Sequence, residues 1–288
     1  MKVDKYAGID IGSNGVRLLI MNIYEKDGQR IYNKNMLVRA PIRLGSDSFV
    51  HNEIKEDTLN KLVLAMQSFK NLMDIYGVSK YKACATSAIR EAQNNQEVVS
   101  HVFEKSGILI EIIDGKEEAD IIYQTQINDF LKNDEAYLFI DVGGGSTEIT
   151  YYNNKKRVQS KSFKIGTVRA LKQLVSKTEW EEVYEFIKEL KIKEGTFAVG
   201  TGGNINTLFK NSRKPLGSLL SYNYIKEQHK ILNELTVDER IIEFGFNPDR
   251  ADVIVPALDI YLNIMKKGGL KQILVPKIGL ADGIVKSL

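Results

Sequence analysis

The sequence predicts an α/β protein built from two similar halves, each a mixed sheet flanked by helices, facing one another across a central cleft. Two observations carry this. A strand, an Asp, a glycine-rich turn and a second strand are written twice, as "YAGIDIGSNGVRLLI" at 6–20 and "YLFIDVGGGSTEITY" at 137–151. Each copy opens a run in which strand and helix periodicities alternate, and 288 residues exceed one average domain. Domains of 1–128 and 129–288 are expected, with the terminal helix free to pack back on the first.

The elements follow in order. Strands are expected at 6–11, 17–24 and 30–38, and a helix at 56–76, where Leu59, Leu62, Val63, Met66, Phe69, Leu72 and Tyr76 recur at helical spacing. A strand at 80–85, a helix near 94–106, a strand at 109–113 and a helix from Lys116 to about Phe130 complete the first half. The second half repeats the opening with strands at 137–142, 147–152 and 157–163. Helices near 167–190, a strand at 196–199, helices through 203–267, a strand at 272–275 and a terminal helix follow. The stretch "RADVIVPALDIYLNIMKK", from Arg250 to Lys267, reads as one long amphipathic helix, core and domain-bridging, that Pro256 would kink.

Composition excludes several classes. With 43% apolar and 27% charged residues and a net charge of +3, the chain reads as a soluble globular protein with no bulk charge to recruit nucleic acid. The N-terminus shows no signal-peptide core and no apolar run is long enough to span a bilayer, so a cytoplasmic protein without membrane partners is expected. One cysteine, Cys84, excludes an internal disulfide and reads as a small core residue in "YKACAT". Histidines 51, 101 and 229 lack the spacing of a zinc site.

The duplicated turns point to a phosphate ligand. In "DIGSN" and "DVGGGS" the glycines Gly12, Gly143, Gly144 and Gly145 remove side-chain bulk, so that backbone N–H groups converge on an anion. Ser13, Asn14, Ser146 and Thr147 add polar donors, while Asp10 and Asp141 would hold Mg²⁺, directly or through water. A third turn, "VGTGGNINTL" at 199–208, places Gly202 and Gly203 between a short strand and a helix, where orphan amides and the helix dipole favour an anion. No Walker-type lysine motif and no dinucleotide-binding fingerprint occurs.

The segments "GIDIGSNGVRLLI", "ATSAIREAQN", "EIIDGKEEADIIY", "IDVGGGSTEIT", "KIGTVRA" and "VGTGGNINTL", in that order, resemble the exopolyphosphatase and guanosine-pentaphosphate phosphohydrolase family. The resemblance covers nearly the whole chain. It implies two ribonuclease-H-like domains of the actin, sugar kinase and Hsp70 superfamily. It also implies Mg²⁺-dependent hydrolysis, with other divalent cations as substitutes, of terminal phosphate from short inorganic polyphosphate; the alternatives are the 5′ phosphate of guanosine pentaphosphate or a nucleoside triphosphate, or binding without turnover. Glu118 matches the catalytic glutamate that orients or deprotonates the attacking water. Asp141 and Glu148 match positions that bind Mg²⁺ or orient water, with Asp10 their counterpart. Arg43 and Arg90 match arginines near the cleft, and Arg17 and Arg169 lie in matching segments, where guanidinium forks would grip phosphate. Many relatives are dimers, so a homodimer is expected. Two departures stand out: longer relatives continue into further helical domains, and "GLADGIV" places Ala281 where the family often has an arginine.

Overall fold

The computed structural model describes residues 3–130 and 135–288. In chain order the strands and helices are β1 (Asp4–Ile11), β2 (Val16–Lys26), β3 (Gln29–Ala40), α1 (Leu44–His51), α2 (Glu56–Tyr76), β4 (Lys80–Ala85), α3 (Ser87–Glu91), α4 (Asn95–Ser106), β5 (Ile110–Ile112) and α5 (Gly115–Phe130). There follow β6 (Ala136–Val142), β7 (Thr147–Asn153), β8 (Lys156–Phe163), α6 (Thr167–Leu171), α7 (Lys177–Glu189), β9 (Phe197–Thr201), α8 (Gly203–Asn211), β10 (Leu219–Ser221), α9 (Tyr222–Glu234), α10 (Val237–Phe244), α11 (Pro248–Ala251), α12 (Ile254–Lys267), β11 (Gln272–Leu274) and α13 (Leu280–Lys286). The chain divides into two compact units, Met1–Thr125 with Gly279–Leu288, and Gln126–Ile278. Among the described residues no helix is long and apolar enough to cross a membrane.

The first unit holds a sheet ordered β3-β2-β1-β4-β5. β1, β2 and β3 form an antiparallel meander, and β4 and β5 join it parallel to β1 through the crossovers α2 and α4. β1 is buried along nearly its whole length because α13 covers one of its faces. That approach needs Gly8: a β-carbon there would lie 2.6 Å from the Ala281 carbonyl oxygen. Tyr6, Leu19, Met21, Ala281 and Val285 close this layer, and Cys84, Ile113, Ile121 and Ile284 pack beside it.

The second unit repeats the meander as β6, β7 and β8, then adds β9 and β11 parallel to β6 and a short antiparallel edge strand, β10, in the order β10-β11-β9-β6-β7-β8. Its core runs from Leu138 and Ile140 on β6 to Leu258, Tyr261 and Met265 on α12. In both sheets the parallel strands end along one edge, and loops leaving such an edge are where open α/β sheets gather ligands.

The helices expected near 167–190 are α6 and α7, with Ser176 and Glu179 forming the capping box that starts α7. Three details depart from the sequence expectations. The helix expected over 250–267 breaks at Asp252 and Val253 instead of kinking at Pro256. Pro256 falls in the first turn of α12, where its missing N–H has no acceptor to serve. α1 and α3, in segments to which the sequence assigns no element, are helical. β10 interrupts the helical run after 203, its pairing to β11 supplied by tertiary structure and not by alternation in "LLS".

Candidate active site

In the first unit, Asp10, Arg17 and Arg39 lie opposite one another across β1, β2 and β3, so they share one face of the sheet. Arg17 Nη1 donates to Asp10 Oδ2 at 2.5 Å, and the Asp10 carboxylate is nearly buried. The turn between the two strands is fixed from behind. Gly45, in the first turn of α1, donates its N–H to the Ser13 carbonyl at 2.8 Å. Arg39 lies over Gly15, where a β-carbon would come within 2.7 Å of its guanidinium, and reaches the Asn14 carbonyl at 3.5 Å. In a trans peptide the carbonyl of one residue and the N–H of the next point opposite ways. Committing the Ser13 carbonyl to α1 and the Asn14 carbonyl to Arg39 therefore turns the Asn14 amide away from α1 and the Gly15 amide away from the Arg39 guanidinium. The Ser13 hydroxyl, expected as an anion donor, is shared with Ser87 at 2.9 Å, both residues being buried.

The second unit builds the same device with different charge. Asp141 stands opposite Glu148, and Glu148 opposite Ser162, across β6, β7 and β8. The Ser162 hydroxyl donates to Glu148 Oε1 at 2.7 Å, and oxygens of Asp141 and Glu148 lie within 4.8 Å of one another. The turn is clamped by α6: Thr167 N–H donates to Gly143 O at 3.0 Å, Val168 N–H to Gly144 O at 2.8 Å, and Arg169 Nε to Gly145 O at 2.7 Å. By the same peptide geometry the amides of Gly144, Gly145 and Ser146 face away from α6. Gly166 has to be glycine, since a β-carbon there would lie 2.4 Å from the Gly144 oxygen. Arg169, expected to meet phosphate, is buried and serves this clamp. Thr147, expected as a hydroxyl donor, gives its proton to the Ile165 carbonyl.

The third turn lies next to the second. Gly202 has φ 108°, and a β-carbon would fall 2.6 Å from the Val142 oxygen and 3.4 Å from Asp141 Oδ1. Gly203 starts α8, and the Arg250 guanidinium rests against it, donating from Nη1 to Asn204 Oδ1 at 2.6 Å. Sequence reasoning missed Arg250 and Arg39. Both face a glycine of a phosphate-type turn, a signal visible only after folding.

Glu118 is buried in the first turn of α5, whereas Glu117 turns outward, half exposed, within 4.0 Å of Lys82. Asp114 organises that turn by accepting the Glu117 amide at 2.7 Å. Arg90, on α3, gives one guanidinium N–H to the Ile113 carbonyl at 2.7 Å. Arg43 caps α1 in the left-handed conformation, φ 63°. The turn of Gly12, the start of α3 and the start of α5 follow the C-terminal ends of β1, β4 and β5, on one edge of the first sheet.

A model of the Ppx/GppA phosphatase family matches residues 36–288. The bifunctional 3-dehydroquinate synthase/phosphatase of Fusobacterium nucleatum is 31% identical over 202 residues, 66% of this chain and 30% of that protein, so the chain spans less than a third of that relative. Exopolyphosphatase 2 of Mycobacterium tuberculosis is 22% identical over 325 residues, covering 100% of this chain and 99% of that one. The crystal structure of the Aquifex aeolicus Ppx/GppA family member superposes with a TM-score of 0.76 at 28% identity, covering 99% of this chain and 97% of that one. The two mixed sheets flanked by helices are the α/β architecture of the actin-like ATPase fold, and on the family match the chain belongs to the Ppx/GppA phosphatase family.

Proposed function

We propose that this chain hydrolyses phosphoanhydrides, releasing terminal orthophosphate from short inorganic polyphosphate with a divalent cation, Mg²⁺ in the first place. The observation that carries the reading is the Gly143–Ser146 turn, whose amides face outward beside the paired carboxylates of Asp141 and Glu148. Such a pairing presents an anionic phosphate with donors and a hard cation with oxygens. The exopolyphosphatase name of the M. tuberculosis relative, matched along its whole length, supports the choice of substrate.

The residues present fit a hard divalent ion. Asp141 and Glu148 offer oxygen ligands within 4.8 Å of one another, and the Ser162 hydroxyl fixes the Glu148 carboxylate. When bound, the cation supplies neutralisation of charge on the phosphoryl oxygens. The remaining work falls to the chain. Backbone amides of the glycine turns bind the terminal phosphate, and Arg17, Arg43 and Arg90 meet further anionic oxygens. Glu118 orients a water and takes its proton as the water oxygen bonds to the terminal phosphorus. The bridging P–O bond breaks, and its electron pair leaves on the shortened chain.

The test is phosphate release by wild type and Glu118→Gln from short polyphosphate, long polyphosphate and guanosine pentaphosphate, with Mg²⁺. Release from short polyphosphate that the variant lacks is the expected result. Turnover of the guanosine compound alone would replace the substrate, and binding of all three without release by wild type would leave a sensor.

A further inference from the structure

β6 and β9 run parallel until Asp141 pairs with Thr201, and there they part. One strand continues into the Gly143–Ser146 turn, the other into Gly202 and α8. Polar backbone groups at such a fork are buried beneath the sheet and need partners. The hydroxyl of Tyr261, on α12, meets them. It donates to the Thr201 carbonyl and has the Ile140 carbonyl 3.5 Å away, so it touches the ends of both strands. Tyr261 is fully buried, so no water substitutes for it.

We propose that Tyr261 is a positioning residue: its hydroxyl ties the ends of β6 and β9 together and thereby fixes Asp141 against the Gly202–Gly203 turn. The inference rests on the phosphoanhydride hydrolase reading with Asp141 as a cation ligand. The spacing it holds is tight, because Gly202 already sits where a β-carbon would press on Val142 and Asp141. Full burial favours the neutral phenol, so the hydroxyl remains a donor. A phenylalanine would fill the same volume and leave the Thr201 carbonyl short of a partner.

The experiment compares wild type, Tyr261→Phe, and Leu258→Ala, which opens a cavity in the same helix. Mg²⁺ binding is read by calorimetry on the protein without substrate, and kcat and KM are read on short polyphosphate. Tyr261→Phe is expected to lower kcat roughly 10- to 100-fold, as misplacement of reacting groups does, to weaken Mg²⁺ binding several-fold, and to leave KM nearly unchanged. Leu258→Ala should lower the melting temperature while keeping Mg²⁺ binding and kcat per folded molecule. Site-specific 4-aminophenylalanine at 261, which retains a donor in the same place, should recover Mg²⁺ binding. A Tyr261→Phe protein with wild-type kcat and Mg²⁺ affinity, or an aminophenylalanine protein no better than the phenylalanine one, overturns the inference while wild-type turnover leaves the functional reading standing. A wild type that hydrolyses none of the phosphoanhydrides removes both.

Discussion

Asp10 and Asp141 hold equivalent places in two hairpins with turns of equal length, yet Asp10 faces Arg17 and Asp141 faces Glu148. The first pairing neutralises its carboxylate through a 2.5 Å ion pair; the second adds a carboxylate to a carboxylate. Two anions side by side repel unless a cation lies between them. The duplicated Asp thus has two settings, paired with an arginine in one unit and set beside a second carboxylate in the other.

Asp141→Asn and Glu148→Gln should each raise the Mg²⁺ concentration needed for half-maximal hydrolysis by about tenfold or more. Asp10→Asn should leave that concentration unchanged and act on KM through Arg17. The Mg²⁺ titrations of the three variants check the division of labour, and a shift for Asp10→Asn matching that for Asp141→Asn would refute it.

Glu118 and Glu117 are neighbours with opposite surroundings, one buried and one half exposed within reach of Lys82. Glu118→Gln should lower kcat by about 10²-fold or more, the usual size of a lost general base, with substrate binding retained. Glu117→Gln should leave kcat unchanged, since an exposed ion pair contributes little. Equal losses in the two variants would mean that the helix terminus, not a particular carboxylate, matters.

The Cys84 thiol is fully buried, and burial above all pushes its pKa from 9.0 to about 12, with Lys82 opposing and Glu111, Glu117 and Asp10 adding to the rise. The native state holds this proton more tightly than the unfolded chain. The stabilisation is therefore fully present below pH 9 and is lost as pH rises from 9 towards 12. Urea midpoints of wild type should fall more steeply over that window than those of Cys84→Ala. Parallel falls would place the alkaline instability in other groups.

The paired hairpins are legible in the sequence because alternating strands, an Asp and glycines recur at one spacing. What holds the hairpins is not. α1 gives no helical signal in the sequence because "LGSDSFVH" carries a glycine and two serines, weak helix formers, and its place is set by Gly45 bonding Ser13 from a distant part of the chain. Arg169 reads as a phosphate ligand from its motif, while the fold spends its Nε on Gly145. Arg39 and Arg250 carry no local signal, since each is defined by a glycine brought alongside it by folding. Strand content and turn chemistry are local and readable; which way the amides of a glycine turn face is decided by the helix packed behind it.

That helix makes the last prediction. Gly166 lets α6 approach until Thr167 and Val168 reach the Gly143 and Gly144 carbonyls, and a β-carbon there would collide with Gly144 backbone at 2.4 Å. Backbone cannot swing aside as a flexible side chain does, so Gly166→Ala should push α6 off the turn and let the amides of Gly144, Gly145 and Ser146 rotate. Overpacking of this kind costs about 1–3 kcal/mol, and the lost alignment should lower kcat/KM for polyphosphate by roughly 10²-fold. Arg169→Lys keeps the charge but loses the planar Nε donor to Gly145, so it should lower kcat/KM by less, in the same direction. Thermal melts run beside the kinetics separate the two effects. A Gly166→Ala protein that melts earlier but turns over normally would show that the turn keeps its orientation without the clamp.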